Sequence, residues 1–265
     1  MSDSSVWQRA ADPRRRIGRA VEFHAAIGST NDRARALLAA LPAEGTVVVA
    51  DVQSLGRGRL GRVWHSPPGR NLLVSVPVRP ALAGSRAWQL SAAAALAVRE
   101  AAAPHAALAV RWPNDLVAAD GLKVAGLLVE TTLLGDTIAD AVVGIGINVN
   151  WRRAEMPAEL AARATSLADL AGEALDRVAL LGRLLAALDR ELAGLERGAS
   201  PLARYRGASW LDGRRVAVRA GARLVEGRAA GIAADGALLV ETERGSESVS
   251  YGEVIAVELP RQVPA

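Results

Sequence analysis

After Trp210 the chain changes texture, and this change limits the folds open to it. From Asp212 onward come "RRVAVRA", "ARLVEGRAAGI", "GALLVET" and "ESVSYGEVIAVEL", short alternating runs parted by Gly and Asp turns. That pattern predicts a small antiparallel β-barrel. Before Trp210 the β-branched runs "GTVVVADV" and "NLLVSVPV" alternate with helical stretches. "AWQLSAAAALAVREAAA" reads as a buried, alanine-rich helix, and residues 175–195 repeat leucine at helical spacing. "GSTNDRARALLAAL" opens like a capped helix, with Ser29 three residues ahead of Asp32. The expected architecture is therefore α/β (α+β), a mixed sheet with helices followed by a small barrel. Its 265 residues leave room for two domains at most. Residues 21–211 are assigned to the larger domain and 212–265 to the smaller. Residues 1–20 are polar, Arg-rich and without period, and are expected to be a disordered extension.

Composition excludes several classes. There is no cysteine, hence no disulfide scaffold, thiolate metal site or Cys nucleophile. His24, His65 and His105 are scattered without metal-ligand spacing. The longest apolar run, "SAAAALAV", is far short of the ~20 residues of a membrane span. "RRRIGRAVEFHAAIG" is interrupted by Glu22 and His24 where a signal peptide needs an unbroken apolar core. A cytoplasmic protein with no membrane partner is the expectation. The net charge of +4 is unevenly spread: no acid lies between Asp51 and Glu100, while Arg57, Arg59, Arg62, Arg70, Arg79, Arg86 and Arg99 do. Such a segment is expected to face something anionic, the alternative being a solvated basic surface.

Within it, "GRGRLG" matches the dinucleotide fingerprint, but "RVWHSPPG" follows where a helix should open, and no ribose-binding acid comes in time. Alternating glycine with arginine makes instead a flexible anion clamp, expected to be mobile when empty and to order on an anion. An RNA-binding Arg-Gly segment is the competing use, with only Trp64 near enough to stack bases. "DGLKVAGLLVE" holds the one lysine, Lys123, among 32 basic residues. A lone lysine on a strand is most often a solvated edge charge. In a chain that writes arginine everywhere else, it also fits a site needing a compact ammonium where a guanidinium would be too wide. "RWPNDL" places Asn114 and Asp115 across a tight turn from Lys123, so a hairpin would bring carboxylate and ammonium together; the alternative is a plain turn cap. The two glycines of "GIGINVN" hint at close backbone approach, with Asn148 either reading an adenine edge or satisfying a turn. Neither a P-loop nor a G-x-S-x-G elbow is present.

Taken in order and spacing, "GSTN", "QSLGRGRLGRVWHSP", "RWPNDL", "KVAGLLVE" and "VVGIGINVN" resemble the biotin protein ligases, from about Glu22 to Leu259 and including "YGEV" in the barrel. The resemblance implies a catalytic domain like class II aminoacyl-tRNA synthetases, helices on one face of its sheet, and an SH3-like C-terminal barrel. It implies activation of biotin by ATP and Mg²⁺ to biotinyl-5′-AMP, then transfer to a lysine of a biotin carboxyl carrier domain. The metal would come with ATP rather than sit in a protein-only site. Residues implied to bind biotin are Ser29, Thr30, Asn31, Gln53, Gly56, Arg57, Gly58, Arg59, Lys123 and Gly126. Those implied for ATP and the adenylate are Arg59, Arg62, Trp64, Asn114, Lys123 and Asn148. Lys123, Arg59 and Asp115 would be catalytic, Lys123 bridging carboxylate and α-phosphate, Asp115 receiving the acceptor amine. Bifunctional members carry an N-terminal winged helix, absent from this sequence, so no operator DNA is expected as a partner; either a monomer or a homodimer is compatible. Leu60 and Val63 in the loop depart from the family's commoner wording. The rivals are a lipoate or octanoate ligase of related fold and an Arg-rich nucleic-acid-binding protein.

Overall fold

The structure is a computed structural model that describes residues 4–40 and 45–258. Its strands, in chain order, are β1 (Ala20–Ile27), β2 (Thr46–Gln53), β3 (Leu72–Val78), β4 (Ala109–Arg111), β5 (Asp115–Val117), β6 (Lys123–Leu134) and β7 (Thr137–Ile147), then β8 (Arg215–Ala220), β9 (Arg223–Ile232), β10 (Leu238–Thr242), β11 (Gly245–Val249) and β12 (Glu253–Val257). The helices are α1 (Ser4–Gln8), α2 (Thr30–Ala39), α3 (Trp88–Ala102), α4 (Ala158–Ala161), α5 (Leu167–Ala171), α6 (Arg177–Glu196) and α7 (Leu202–Gly207).

The first seven strands form one mixed sheet, ordered β1-β2-β3-β7-β6-β5-β4, in which β1 and β2 are parallel and the other pairs antiparallel. The last five form an antiparallel sheet, ordered β11-β10-β9-β8-β12, with Val216, Val218, Val225, Ile232, Leu238 and Val240 buried. The alternation of strand side chains separates two cores. Val47, Val49 and Val143 join the main core with α3 and α6, whereas Val48 and Val142 pack with Ala34 and Leu38 of α2. Helices therefore cover both faces of the large sheet, not one as the resemblance implied, because successive valines on each strand offer an apolar surface on either side. Helix α6 seats Leu180, Leu181, Leu184, Leu185, Leu188, Leu192 and Leu195 on the main core, the stripe its leucine spacing encodes. Its first amides are capped by Asp176, which accepts from Val178 and Ala179 at 2.8 and 3.1 Å. The alanines of α3 let it lie close against α6.

The N-terminal segment corrects the sequence expectation. Residues 4–19 are a folded strap: Trp7 is buried and stacks on Phe23 of β1 at 5.1 Å. Gln8 imitates a strand partner with its side chain, Nε2 donating to Val21 O and Oε1 accepting from Val21 N. Ile17, fully buried, donates its N–H to Asp189 of α6 at 2.8 Å. Three isolated apolar residues, Trp7, Ala10 and Ile17, enter a core that the rest of the chain builds, which is why no local period announced them. Residues 1–3 of the expected extension, and 259–265 of the expected small domain, lie outside the described residues.

Candidate active site

A cavity of about 420 Å³ opens on the α2 face of the large sheet, within the size range of small-molecule sites. Register explains its floor. Arg111, Asp115, Gly126, Gly146, Leu73 and Ala50 stand opposite one another in a row across six strands, and Leu128, Gly144, Ser75 and Val48 form a second row. The glycines make a trough. A Cβ on Gly146 would lie 2.7 Å from the Trp64 ring, and one on Gly126 would lie 2.8 Å from Lys123 Nζ and 2.9 Å from Trp64. The close approach anticipated from "GIGINVN" is thus to a side chain, the Trp64 indole, whose Nε1 is buried without a partner among the described residues.

At one end of the trough the ammonium and carboxylate expected across the "PND" turn do meet: Lys123 Nζ is 2.6 Å from Asp115 Oδ1. Arg111 donates to Asp115 Oδ2 at 2.9 Å, so both carboxylate oxygens are engaged. The Lys123 ammonium also lies 5.3 Å from the Trp64 ring centre, within reach of a cation–π attraction. The turn itself is held from several sides. Asn114 Nδ2 donates to Leu127 O at 2.5 Å, Tyr205 Oη to Pro113 O at 3.2 Å, and Trp112 Nε1 to Gly236 O at 3.0 Å. Burial pushes the Tyr205 phenol well above its usual range, with the Asp115 charge adding to it, so this hydroxyl stays a donor.

The other end is polar and uncharged. The N-cap of α2 brings Ser29, Thr30 and Asn31 inward, with Ser29 Oγ accepting from Asp32 N. Gln53, at the end of β2, accepts from the Thr30 amide at 2.7 Å. Ser75, fully buried on β3, lies 2.7 Å from Thr30 Oγ1 and 2.6 Å from Asn31 Oδ1.

The Arg-Gly loop is folded over the cavity as a flap. Arg57 bridges to Val63, Gly58 N donates to Arg62 O, and Trp64 N donates to Gly56 O. Leu60 takes a left-handed conformation at φ 57°, a strained choice for a non-glycine residue. Arg57 pairs with Asp32, at 2.5 Å, and holds that carboxyl below the usual range. Arg62 pairs with Glu253 of the C-terminal sheet. The segment expected to face an anion thus spends most of its arginines inside the protein. Arg70 pairs with Glu155 at 3.0 Å, Arg86 donates to Gln89 at 3.0 Å, Arg99 donates to Leu108 O at 2.7 Å, and Arg79 donates to Leu38 O. Arg59 differs. Among the described residues its guanidinium donates to Asn114 Oδ1 at 3.5 Å and Gly252 O at 3.4 Å, and burial pushes it below the usual arginine value, partly offset by Asp115 and Glu253. A half-buried cation without an ion-pair partner among the described residues is the group best placed to gain from an incoming anion.

Every site residue named from the sequence lines this cavity except Gly56. Gly56 is buried at the flap's neck, where a Cβ would lie 2.9 Å from Trp64 O; its place is one of backbone packing. Asn148 is present; its Nδ2 is spent on Thr165 O at 3.1 Å and Lys123 O at 3.4 Å, which leaves its Oδ1 as the atom to face a ligand in the cavity. Sequence reasoning missed Arg111, Arg163, Ser75 and the Gly252–Glu253 turn. A serine alone in the apolar run "LLVSVPV" was the available signal for Ser75; Glu253 lies in the "YGEV" that carried the barrel's resemblance, but nothing local tied it to the site.

Comparison with known proteins places these features. Residues 24–148 match the Biotin/lipoate A/B protein ligase family, and residues 213–256 the Biotin protein ligase C terminal domain. The chain is 33% identical to the bifunctional ligase/repressor BirA of Bacillus subtilis, over 90% of this chain and 74% of that protein. It is 35% identical to the biotin–[acetyl-CoA-carboxylase] ligase of Mycobacterium tuberculosis, over 89% of each. Among solved structures, the biotin protein ligase of Aquifex aeolicus in complex with biotin and ATP superposes with a TM-score of 0.74 at 30% identity, covering 90% of this chain and 98% of that one.

Proposed function

Since this chain belongs to the biotin protein ligase family, we propose that its cavity binds biotin and ATP, forms biotinyl-5′-AMP, and passes the biotinyl group to one lysine of a biotin carboxyl carrier domain. The observation that carries this reading is a single cavity with two unlike ends: a polar, uncharged end at Ser29, Thr30, Asn31 and Gln53, and a cationic end at Lys123, Arg59 and Arg111. A ureido head fits the first and a carboxylate meeting a triphosphate fits the second.

In the first half-reaction a biotin carboxylate oxygen attacks the α-phosphorus and pyrophosphate leaves. Two anions approach only if cations screen them in a water-poor site. Lys123 lies between the trough and Asp115, so an arriving carboxylate and phosphate draw the ammonium from Asp115 toward the charge that develops on the α-phosphoryl oxygens. Arg59, whose desolvation Asp115 and Glu253 offset only in part, gains most from the triphosphate. Trp64 and the flap exclude water from the mixed anhydride. In the second half-reaction the acceptor amine attacks the acyl carbon and AMP leaves. Asp115, released by Lys123, holds the amine and takes its proton. Among the described residues no group of three or more His, Cys, Asp or Glu is placed to hold a metal. Mg²⁺ accompanying ATP takes its ligands chiefly from phosphate oxygens and water.

The family model also spans lipoate ligases. The polar end favours biotin, because an alkyl or dithiolane head would bury its hydroxyls and amides unpaired. Among the described residues no helix is long and apolar enough to cross a membrane; the cytoplasm, where ATP and carboxylases meet, is the proposed location.

The test incubates the protein with Mg-ATP and, separately, biotin, lipoate or octanoate, and looks for retained acyl-adenylate by mass spectrometry. A biotin adenylate alone supports the reading. An octanoyl or lipoyl adenylate alone moves the assignment to the rival ligase, and none from folded protein removes it.

A further inference from the structure

We propose that Ser75, a residue that need touch neither substrate, fixes the direction of hydrogen bonding at the polar end of the cavity and thereby makes Thr30 an obligate acceptor for a ligand N–H. The inference rests on the biotin reading and concerns how that head is selected.

The argument is proton accounting. Asn31 lies with one end of its amide facing Glu130 Oε2 at 2.7 Å and Leu128 O at 3.5 Å. Both are acceptors, so that end is the NH₂, and the opposite end, Oδ1, must receive a proton. Its neighbour there is Ser75 Oγ at 2.6 Å. A serine has one proton to give, and the carbonyl of Asn31 has none, so the Ser75 hydroxyl is committed to Asn31. It then has nothing left for Thr30 Oγ1, 2.7 Å away. Thr30 in turn spends its own proton inside the protein, on Ser75 Oγ or on Gln53 Oε1 at 3.0 Å. Its remaining lone pairs are the only hydrogen-bonding capacity it offers the cavity. Gln53 is fixed the same way: the Thr30 amide claims Oε1, and Nε2, without a protein partner among the described residues, is left to donate. Ser29 Oγ accepts from Asp32 N and keeps its proton for the cavity.

The end of the cavity therefore presents an acceptor at Thr30 beside donors at Ser29 and Gln53. A head group that matches needs an N–H next to a carbonyl oxygen, which a ureido ring supplies and a dithiolane or alkyl terminus lacks. The direction is set outside the pocket, by the Glu130 carboxylate, and relayed through Asn31 and the fully buried Ser75. Ser75 is thus a positioning residue.

The test compares wild type with Ser75→Ala by calorimetric titration, without ATP, using biotin and each of the two biotins methylated on a ureido nitrogen. Methylation removes a donor and adds bulk; the bulk cancels in the ratio of the two proteins. Ser75→Ala is expected to raise the biotin Kd about tenfold, the cost of one neutral hydrogen bond. For the methylated isomer that wild type binds more weakly, it should raise Kd about twofold or less, while the KM for ATP is unchanged. Equal losses for both ligands mean general loosening, and an unchanged biotin Kd means Thr30 needs no relay; either overturns the inference while leaving the biotin reading intact. Failure of wild type to bind biotin overturns both. If Ser75→Ala lowers the melting temperature enough to prevent titration, the near-isosteric, weakly donating Ser75→Cys carries the same comparison.

Discussion

At Lys123 the site needs a charge that fits a narrow trough. The ammonium lies 2.8 Å from where a Cβ of Gly126 would stand and 5.3 Å from the Trp64 ring centre; the wider, planar guanidinium would have to displace one or the other. Lys123→Arg should therefore cut adenylate formation by about 10²-fold or more with the melting curve unchanged, and near wild-type adenylation in a rapid-quench assay would refute that role. Asp115→Asn keeps the shape but cannot take a proton. Transfer to an acceptor lysine should slow roughly 10²-fold while adenylation changes little, and matched losses in the two half-reactions would assign Asp115 to folding or nucleotide binding. At this scale the sequence was most informative where a residue type broke a local habit, as one lysine among arginines does. It was silent on Gly56, whose type suits a ligand but whose side-chain space the Trp64 carbonyl had already taken. It was equally silent on the proton economy of Ser75, which depends on three segments brought together only by strand register.

Among the elements, the flap is the one whose state the rest of the molecule decides. Its tethers are Arg57–Asp32 to the start of α2 and Arg62–Glu253 to the C-terminal sheet. Glu253→Ala should leave both sheets folded yet speed tryptic cleavage in the flap several-fold and raise the KM for ATP; protection equal to wild type would show that the pair is ornamental, as exposed pairs often are. The Asp32 tether adds a pH dependence with a definite sign. Its carboxyl titrates lower in the folded protein than the usual aspartate value of about 3.9. The tether is thus in place above that value and is lost only as pH falls through the lowered one. Hydrogen exchange of the 57–63 amides, corrected for intrinsic rates, should show opening in acid for wild type and at every pH for Asp32→Asn. The long helices, most strands and the change of texture near residue 212 were readable from period and turn residues. Strand β1 was not, because Glu22 and His24 interrupt its apolar character; Glu22 holds Arg33, whose Nε lies 2.6 Å away, and His24 Nε2 lies 2.6 Å from the same carboxylate. The acid-free segment hid its internal pairing for a related reason: the acids that Arg57 and Arg62 meet lie 25 and 191 residues away, and no local window contains them.

For the whole molecule, the two sheets share one site. The C-terminal sheet supplies Glu253 and the Gly252 carbonyl to the flap, and Gly236 to the Trp112 indole behind the turn that carries Asn114 and Asp115. Both margins of the large sheet are closed by brief mimics of strand pairing, Gln8 on β1 and the Ala208–Trp210 segment on β4, where Val110 N donates to Ala208 O at 2.8 Å and Trp210 N to Val110 O at 2.7 Å, which blunts edge-to-edge association there. With Lys123 committed to the site, a reactive adenylate that escapes finds no other lysine on the chain. Peptide mapping after prolonged incubation with biotin and Mg-ATP should place stray biotin on the N-terminal amine alone, and label on any other side chain would contradict this. The Trp64 indole, wedged between two glycines with a lone ammonium beside it, also makes the site visible in light. Trp112 also lines the cavity, its Nε1 tied to Gly236 O at 3.0 Å, so the emission change on adding a ligand that survives in Trp112→Phe reports the electric field at Trp64, a built-in optical gauge of when the neighbouring charge moves.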